Sequence, residues 1–176
     1  MSQSSLILTV IGPDRPGLVR MVAELVAEYG GSWLESRMAR LAGQFAGIVE
    51  IHVPAAGLDN LTRALAGLDR YGLHVTVEVA TEAPARPPEV VLQVEVVGND
   101  RPGIVRDFTR ALAACGANIE ELNTDVHSGS FSGETLFRAA ARLSTPAPDA
   151  AGRIRTALEK LGNDLMVDIR PAEEGK

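Results

Sequence analysis

A seven-residue turn sequence occurs twice in this chain, and this duplication constrains the fold more than any other feature. Residues 14–20 read Asp-Arg-Pro-Gly-Leu-Val-Arg, and residues 100–106 read Asp-Arg-Pro-Gly-Ile-Val-Arg. Each copy follows an apolar run that ends in Gly-X, at Gly12 and at Gly98, and each precedes an amphipathic helix pattern. The spacing of the copies predicts two repeated units of roughly 80 residues each.

The hydrophobic pattern predicts the same order of elements in both halves: strand, helix, strand, strand, helix, strand. In the first half, residues 6–11 form an apolar run of strand length, residues 45–53 alternate, and residues 58–71 have helical spacing. Two right-handed β-α-β crossovers predict an α+β fold of two ferredoxin-like βαββαβ units, each an antiparallel sheet with two helices on one face. We expect a first unit, a proline-rich linker, a second unit and a disordered tail at residues 1–81, 82–88, 89–171 and 172–176.

Composition narrows the classes of function. The net charge of −6 and the pI of about 5.1 argue against direct nucleic-acid binding, which usually needs a basic surface. No apolar stretch approaches the roughly 20 residues of a membrane-spanning helix, so we expect a cytoplasmic protein without a membrane partner. The single cysteine, Cys115, excludes an intrachain disulfide and a cysteine-rich metal site. We expect no metal, no cofactor and no enzymatic activity, since no catalytic constellation is recognisable.

The repeated turn has two structural interpretations. Asp14 and Asp100 are suited to cap the following helix, and Pro16 is suited to its first turn. The same helix start can hold a carboxylate on its unpaired backbone N–H groups, because Gly17 and Gly103 let a ligand approach closely. The aspartate could then accept hydrogen bonds from a ligand ammonium group. The turn therefore predicts either an α-amino acid site or an ordinary helix start.

The Gly-X-Asp-Arg-Pro-Gly-[Leu/Ile]-Val turn after an apolar strand resembles the opening of an ACT domain, a small regulatory module that binds amino acids. The resemblance covers about residues 5–170. It implies ligand binding at the strand–helix turn, often across an interface between two such units. Asn118 begins the second strand of its unit, as asparagine often does in this family, whereas the first unit has Ser32 there. The ligand-binding positions that the resemblance implies are Gly12, Asp14, Arg15, Pro16, Gly17 and Leu18, with Gly98, Asn99, Asp100, Arg101, Pro102, Gly103, Ile104 and Asn118.

The tandem layout within the family resembles that of transcriptional repressors of the glycine cleavage type. This resemblance implies an amino-acid-sensing regulatory protein that acts through a partner DNA-binding regulator. The alternative is a ligand-free protein–protein interaction module that regulates an amino-acid metabolic enzyme. Exposed sheet edges favour a homodimer in either case. If one copy of the turn binds the amino acid, the second is the stronger candidate because Asn99 and Asn118 accompany it.

Overall fold

The computed structural model describes residues 3–81, 90–128, 135–162 and 164–172. The predicted linker at 82–88 and most of the predicted tail at 172–176 lie outside the described residues, as does most of the Ser/Gly-rich turn at 128–133. The chain divides into two units, Met1–Ala83 and Pro84–Lys176.

The first unit is a four-stranded antiparallel sheet with two α-helices. Its strands have the order β2-β3-β1-β4, so the two β-α-β crossovers interleave as the sequence predicts. The elements are β1 (Gln3–Pro13), α1 (Leu18–Glu28), β2 (Ser32–Leu41), β3 (Gln44–Pro54), α2 (Leu58–Ala66) and β4 (His74–Val79).

The second unit repeats this arrangement. Its strand order, β6-β7-β5-β8, is again antiparallel and again places the first strand of the unit beside the last. The elements are β5 (Val90–Asn99), α3 (Ile104–Ala114), β6 (Asn118–Ser128), β7 (Thr135–Thr145), α4 (Ala150–Glu159) and β8 (Met166–Pro171). The α+β class with two ferredoxin-like units is confirmed.

One apolar core lies between the sheet and the helices of each unit. Alternate β1 residues, such as Leu8, are fully buried on the helix side, together with the 3.6-spaced face of α1. Phe108 and Ile154 take the same place in the second core, from α3 and α4. Burial of each such side chain contributes roughly 1.5–3 kcal/mol of stability. Within each unit, no described helix lies on the opposite face of the sheet.

Two details of the helices differ from the sequence expectation. The helix predicted over 58–71 ends at Ala66, and a 3-10 segment, Gly67–Tyr71, continues the chain. Glycine at position 67 has low helix propensity, and the 3-10 segment still buries Leu68. Among the described residues, no helix has the length and apolar character needed to cross a bilayer.

Candidate functional site

The repeated turn begins each first helix with a left-handed glycine rather than with an aspartate cap. Gly17 has φ 94° and Gly103 has φ 85°, and both stand immediately before the first helical residue. Neither helix has a side-chain cap, so the predicted capping by Asp14 and Asp100 is wrong, and Pro16 precedes α1 instead of entering it. A side chain at φ near 90° would strain the backbone, which is the reason for glycine here.

The missing cap leaves backbone donors available at the start of α3. The amide of Ile104 bonds to the carbonyl of Arg101 at 3.2 Å, and the amide of Asp107 bonds to the carbonyl of Gly103 at 3.0 Å. Between them, the amides of residues 105 and 106 have no backbone or side-chain acceptor among the described residues. Unpaired amides at the positive end of a helix dipole are a suitable site for a carboxylate.

The arginine of each turn holds the turn against the segment that follows its unit's second helix, namely the 3-10 segment after α2 in the first unit and the residues just after α4 in the second. Arg15 donates from Nη2 to the carbonyl of Tyr71, and Arg101 donates from Nη2 to the carbonyl of Leu161 at 3.5 Å. Backbone carbonyls at the end of a helical segment and just beyond it lack intrahelical partners, and a guanidinium group is a good donor for them. Arg15 and Arg101 therefore stabilise the position of the turn. The sequence did not predict this role for them.

The two glycines before the turn permit a close approach to the last strand. A Cβ at Gly12 would overlap the backbone carbonyl oxygen of Gly72, and a Cβ at Gly98 would overlap the side-chain Cδ2 of Leu165. Both glycines are buried. Gly12 and Gly98 therefore serve packing within the unit. Direct contact with a ligand is left to the other residues of the turn.

The two turn aspartates have different surroundings. The Asp14 carboxylate lies 3.4 Å from Nε of Arg40, at the end of β2. The Asp100 carboxylate is exposed and has no ion-pair partner among the described residues. The second turn therefore offers a free carboxylate for an ammonium group, whereas in the first turn that carboxylate already has a cation nearby.

Asp107 joins two arginines of the second turn. It accepts a hydrogen bond from Nη1 of Arg101 at 2.8 Å, and Nε and Nη2 of Arg106 donate to its other oxygen at 3.0 and 2.9 Å. The hydrogen bonds from Arg101, and then those from Arg106, hold the pKa of the Asp107 carboxyl below its ordinary value. Alignment of the two turns places Met21 opposite Asp107, so the first unit lacks this clamp.

A groove runs beside each turn, between the first helix and the second strand of the unit. The groove between α1 and β2, about 350 Å³, has an apolar lining that includes Val19, Ala23 and Trp33. The groove between α3 and β6 is larger, about 610 Å³, and its lining carries polar groups. These polar residues are Arg106, Thr109, Arg110 and Asn118.

Asn118 is the predicted site residue that lines the α3–β6 groove, while the predicted turn residues do not line it. Arg106 connects the turn with the groove. Its Nη2 lies 3.2 Å from the position that a Cβ atom would occupy at Gly103, and its side chain also lines the groove. The sequence did not single out Arg106 or Arg110 as site residues. Both residues are visible in the sequence as basic residues of the predicted helix. Their position beside Asn118 follows only from the packing of α3 next to β6.

Comparison with known proteins identifies the family. The sequence pattern of the ACT domain matches residues 4–79 and residues 91–171, which is most of both units. The chain belongs to the ACT domain family. It carries two ACT domains in tandem, and both turns described above are strand–helix turns of such a domain.

Three similar proteins place the chain within the family. The glycine cleavage system transcriptional repressor of Escherichia coli K12 is 27% identical over 166 residues, covering 93% of this chain and 87% of the repressor. A solved structure from Galdieria sulphuraria is 30% identical, with a TM-score of 0.82 and coverage of 98% of this chain and 100% of that one. The phosphoserine phosphatase SerB2 of Mycobacterium tuberculosis is 26% identical over 97% of this chain and 41% of the phosphatase. The chain is thus a tandem ACT-domain protein related to the glycine cleavage repressor, and it matches less than half of the phosphatase.

Proposed function

We propose that this protein is a regulator that binds a free α-amino acid at its second ACT domain. The observation that carries this proposal is the exposed, unpaired Asp100 carboxylate beside the uncapped start of α3. The carboxylate is suited to the ammonium group of an amino acid, and the helix amides are suited to its carboxylate. Membership of the ACT family supports the assignment, because the turn is the one at which the family resemblance implies ligand binding.

The proposed site uses the residues of the second turn in different ways. Asp100 contacts the ammonium group, and the backbone just after Gly103 and Ile104 presents the unpaired amides of Val105 and Arg106. Arg101 and Pro102 shape the turn, Gly98 and Asn99 are the last residues of β5 before it, and Asn118 orients the ligand from the neighbouring groove. The backbone amide of Asn99 already donates to Oδ2 of Asp164 at 3.0 Å, which keeps this end of β5 in place.

The corresponding first-unit residues are the weaker half of the proposed site. They comprise Gly12, Asp14, Arg15, Pro16, Gly17 and Leu18. Asp14 lies beside Arg40, and the adjacent groove is apolar. A ligand ammonium group at Asp14 would have to approach the Arg40 cation, which opposes binding by charge repulsion.

The relationship to the glycine cleavage repressor supports a role in transcription. We propose that the amino acid favours one state of the protein and that a partner DNA-binding regulator recognises this state. The partner is needed because the chain has a net charge of −6, which disfavours binding to the phosphate backbone by the protein alone. A homodimer is part of this proposal, and Ile11 and Ile48, 46% and 52% exposed on the outer face of the first sheet, favour it.

Thermal unfolding with free amino acids tests the ligand site. At about 100 times its dissociation constant, the correct amino acid stabilises the protein by about 2.7 kcal/mol, which is a rise of a few degrees in Tm. Asp100→Asn keeps the shape of the side chain and removes its charge, so we expect it to abolish this rise. Asp14→Asn is the matched control and keeps it. Stabilisation by no amino acid, or equal loss in both variants, would contradict the proposed site.

A band-shift assay at physiological salt tests the need for a partner. We expect no shift of promoter DNA by the purified protein, with or without the amino acid. Addition of the DNA-binding regulator produces a shift whose extent changes with the amino acid in the wild type and not in Asp100→Asn. A shift by the protein alone would replace the partner mechanism with direct DNA binding.

A further inference from the structure

Most charged groups around the second turn already have a partner within the unit. Asp107 accepts hydrogen bonds from Arg101 at 2.8 Å and from Arg106 at 3.0 and 2.9 Å. Asp164 accepts a hydrogen bond from the backbone amide of Asn99 at 3.0 Å. These contacts hold the turn and the start of α3 in place, so their charges are not available to a ligand.

Two side chains of opposite charge near the turn have no such partner. One is Asp100, which the proposed function assigns to the ammonium group of an amino acid. The other is Arg110, an exposed residue of α3 that makes no hydrogen bond or ion pair in the described part of the chain. The amides of residues 105 and 106 offer donors to one carboxylate only. When an α-amino acid occupies the turn, Arg110 therefore still lacks an anion.

The geometry of α3 directs Arg110 toward the turn. Arg110 follows Arg106 by four residues, so both side chains lie on one face of the helix, about 5.4 Å apart along its axis. Helical side chains lean toward the N-terminus, and Arg106 does so, since its Nη2 lies 3.2 Å from the Cβ position of Gly103. The same lean brings the Arg110 guanidinium group to about the level of Asp107, roughly one helical turn beyond Gly103. That separation suits a ligand whose second charged group is two or three bonds beyond its α-carbon.

The groove between α3 and β6 gives the side chain of such a ligand room. Its volume is about 610 Å³, and the small residues Ala113 and Ala117 line it together with Arg110. The corresponding groove of the first unit differs in size and in charge. It measures about 350 Å³ and has an apolar lining, and Glu24, at the position of Arg110, pairs with Arg20 at 2.9 Å. The unpaired cation therefore distinguishes the second groove from the first.

We propose that the amino acid of the second turn is an acidic one, and that Arg110 binds its side-chain carboxylate in the groove. This inference rests on the proposed function, because the turn must hold the ammonium and α-carboxylate groups first. A guanidinium group binds a carboxylate through two parallel N–H donors. The side-chain amide of asparagine or glutamine has nearly the same shape but no charge, so its hydrogen bond to Arg110 is weaker. Arg110 is therefore the residue that determines ligand specificity.

Calorimetric titration of the full-length chain with matched ligands tests the proposal. Aspartate is compared with asparagine, and glutamate with glutamine, because the members of each pair differ in charge and little in shape. We expect at least one acid to bind about tenfold more tightly than its amide, and this ratio to fall as the salt concentration rises. Succinate has two carboxylates and no ammonium group, so it leaves Asp100 unpaired and binds more weakly than aspartate.

Arg110→Gln is the variant that isolates the proposed contact. It removes the guanidinium group from an exposed position, so we expect the acid and its amide to bind with equal affinity. Glu24→Gln, the matched change in the first unit, preserves the preference for the acid. Thermal unfolding without ligand verifies that both variants are folded.

Different results would contradict this inference and the proposed function. Equal binding of acid and amide by the wild type, or a preference that persists in Arg110→Gln, overturns the acidic ligand and leaves the turn site standing. A preference that Arg110→Gln removes and Asp100→Asn leaves unchanged supports the Arg110 contact and contradicts the turn site. Binding of none of the amino acids contradicts both.

Discussion

The two ACT units share one turn sequence and differ in what surrounds it. In the first unit, Arg20 of the turn pairs with Glu24 one helical turn later, at 2.9 Å. In the second unit, the corresponding Arg106 pairs with Asp107, and Arg110 stands at the position of Glu24. The side of the helix next to the groove therefore carries balanced charge in the first unit and additional positive charge in the second.

This difference separates two roles of the repeated sequence. The repeated residues determine the backbone, because in both units the left-handed glycine precedes the helix and the arginine anchors the turn to the segment that follows the second helix. Residues outside the repeat determine which charges remain available to a ligand. Arg40 lies beside the aspartate of the first turn, and no such cation lies beside Asp100 in the described part of the second unit. Duplication preserved the scaffold and changed its chemistry.

The largest effect that we expect comes from Gly12→Ala, compared with Gly98→Ala. The new methyl group at position 12 meets the backbone carbonyl of Gly72, which cannot move without displacing the start of β4. At position 98 it meets the end of the Leu165 side chain, which can rotate. Overpacking of this kind costs typically 1–3 kcal/mol, so we expect about 3 kcal/mol for Gly12→Ala and about 1 kcal/mol for Gly98→Ala.

Urea unfolding measures both changes. Fluorescence of the single tryptophan, Trp33, reports on the first unit, and far-UV circular dichroism reports on both units. Gly12→Ala lowers the midpoint of the fluorescence transition, and Gly98→Ala leaves that transition nearly unchanged. Equal destabilisation by the two substitutions would show that the Leu165 side chain yields no more easily to the added methyl group than the Gly72 backbone does.

An intermediate effect is expected at the arginines of the turns. Arg101 contacts the Leu161 carbonyl and the Asp107 carboxylate, whereas Arg15 contacts the Tyr71 carbonyl. Arg101→Ala therefore removes more hydrogen bonds than Arg15→Ala, although solvent screening reduces both effects. We expect a fall in Tm of about 4 °C for Arg101→Ala and of about 2 °C for Arg15→Ala by calorimetry. A larger fall in Tm for Arg15→Ala than for Arg101→Ala would contradict the stabilising contribution of the hydrogen bond between Arg101 and Asp107.

The sequence predicted the order of elements well because the signals were local. Alternation along residues 45–53 and 3.6-residue spacing after each turn depend on neighbours in the chain, and both produced the expected strand and helix. The start of α1 was predicted wrongly for a related reason. An aspartate followed by proline resembles a capped helix start, and the left-handed conformation of Gly17 is a backbone property that the residue order does not state.

The candidate site was less predictable because it depends on residues far apart in the sequence. Asn118 was anticipated through the family resemblance, but Arg110 on α3 resembles an ordinary exposed helix charge until β6 lies beside it. The outer face of the second sheet also carries a polar depression beside Ala140, which depends on the register of four strands, and a single small residue gives no indication of it in the sequence. In both cases the chemistry follows from contacts between elements that are far apart in the sequence, which only the folded unit displays.

The smallest effect that we expect is the pH dependence created by Asp107, which Met21 in the first unit cannot supply. Because its arginine partners lower the pKa of this carboxyl in the folded state, the ionised form contributes stability above the pKa of the unfolded chain. This contribution is lost as the pH falls through the ordinary carboxyl range, below about 4, toward the lower folded-state pKa. Wild type and Asp107→Asn should therefore differ by a constant amount near neutral pH and converge in acid. High salt should reduce the neutral-pH difference by screening. A difference that is independent of pH would mean that Asp107 stabilises the second turn through its shape and not through its charge.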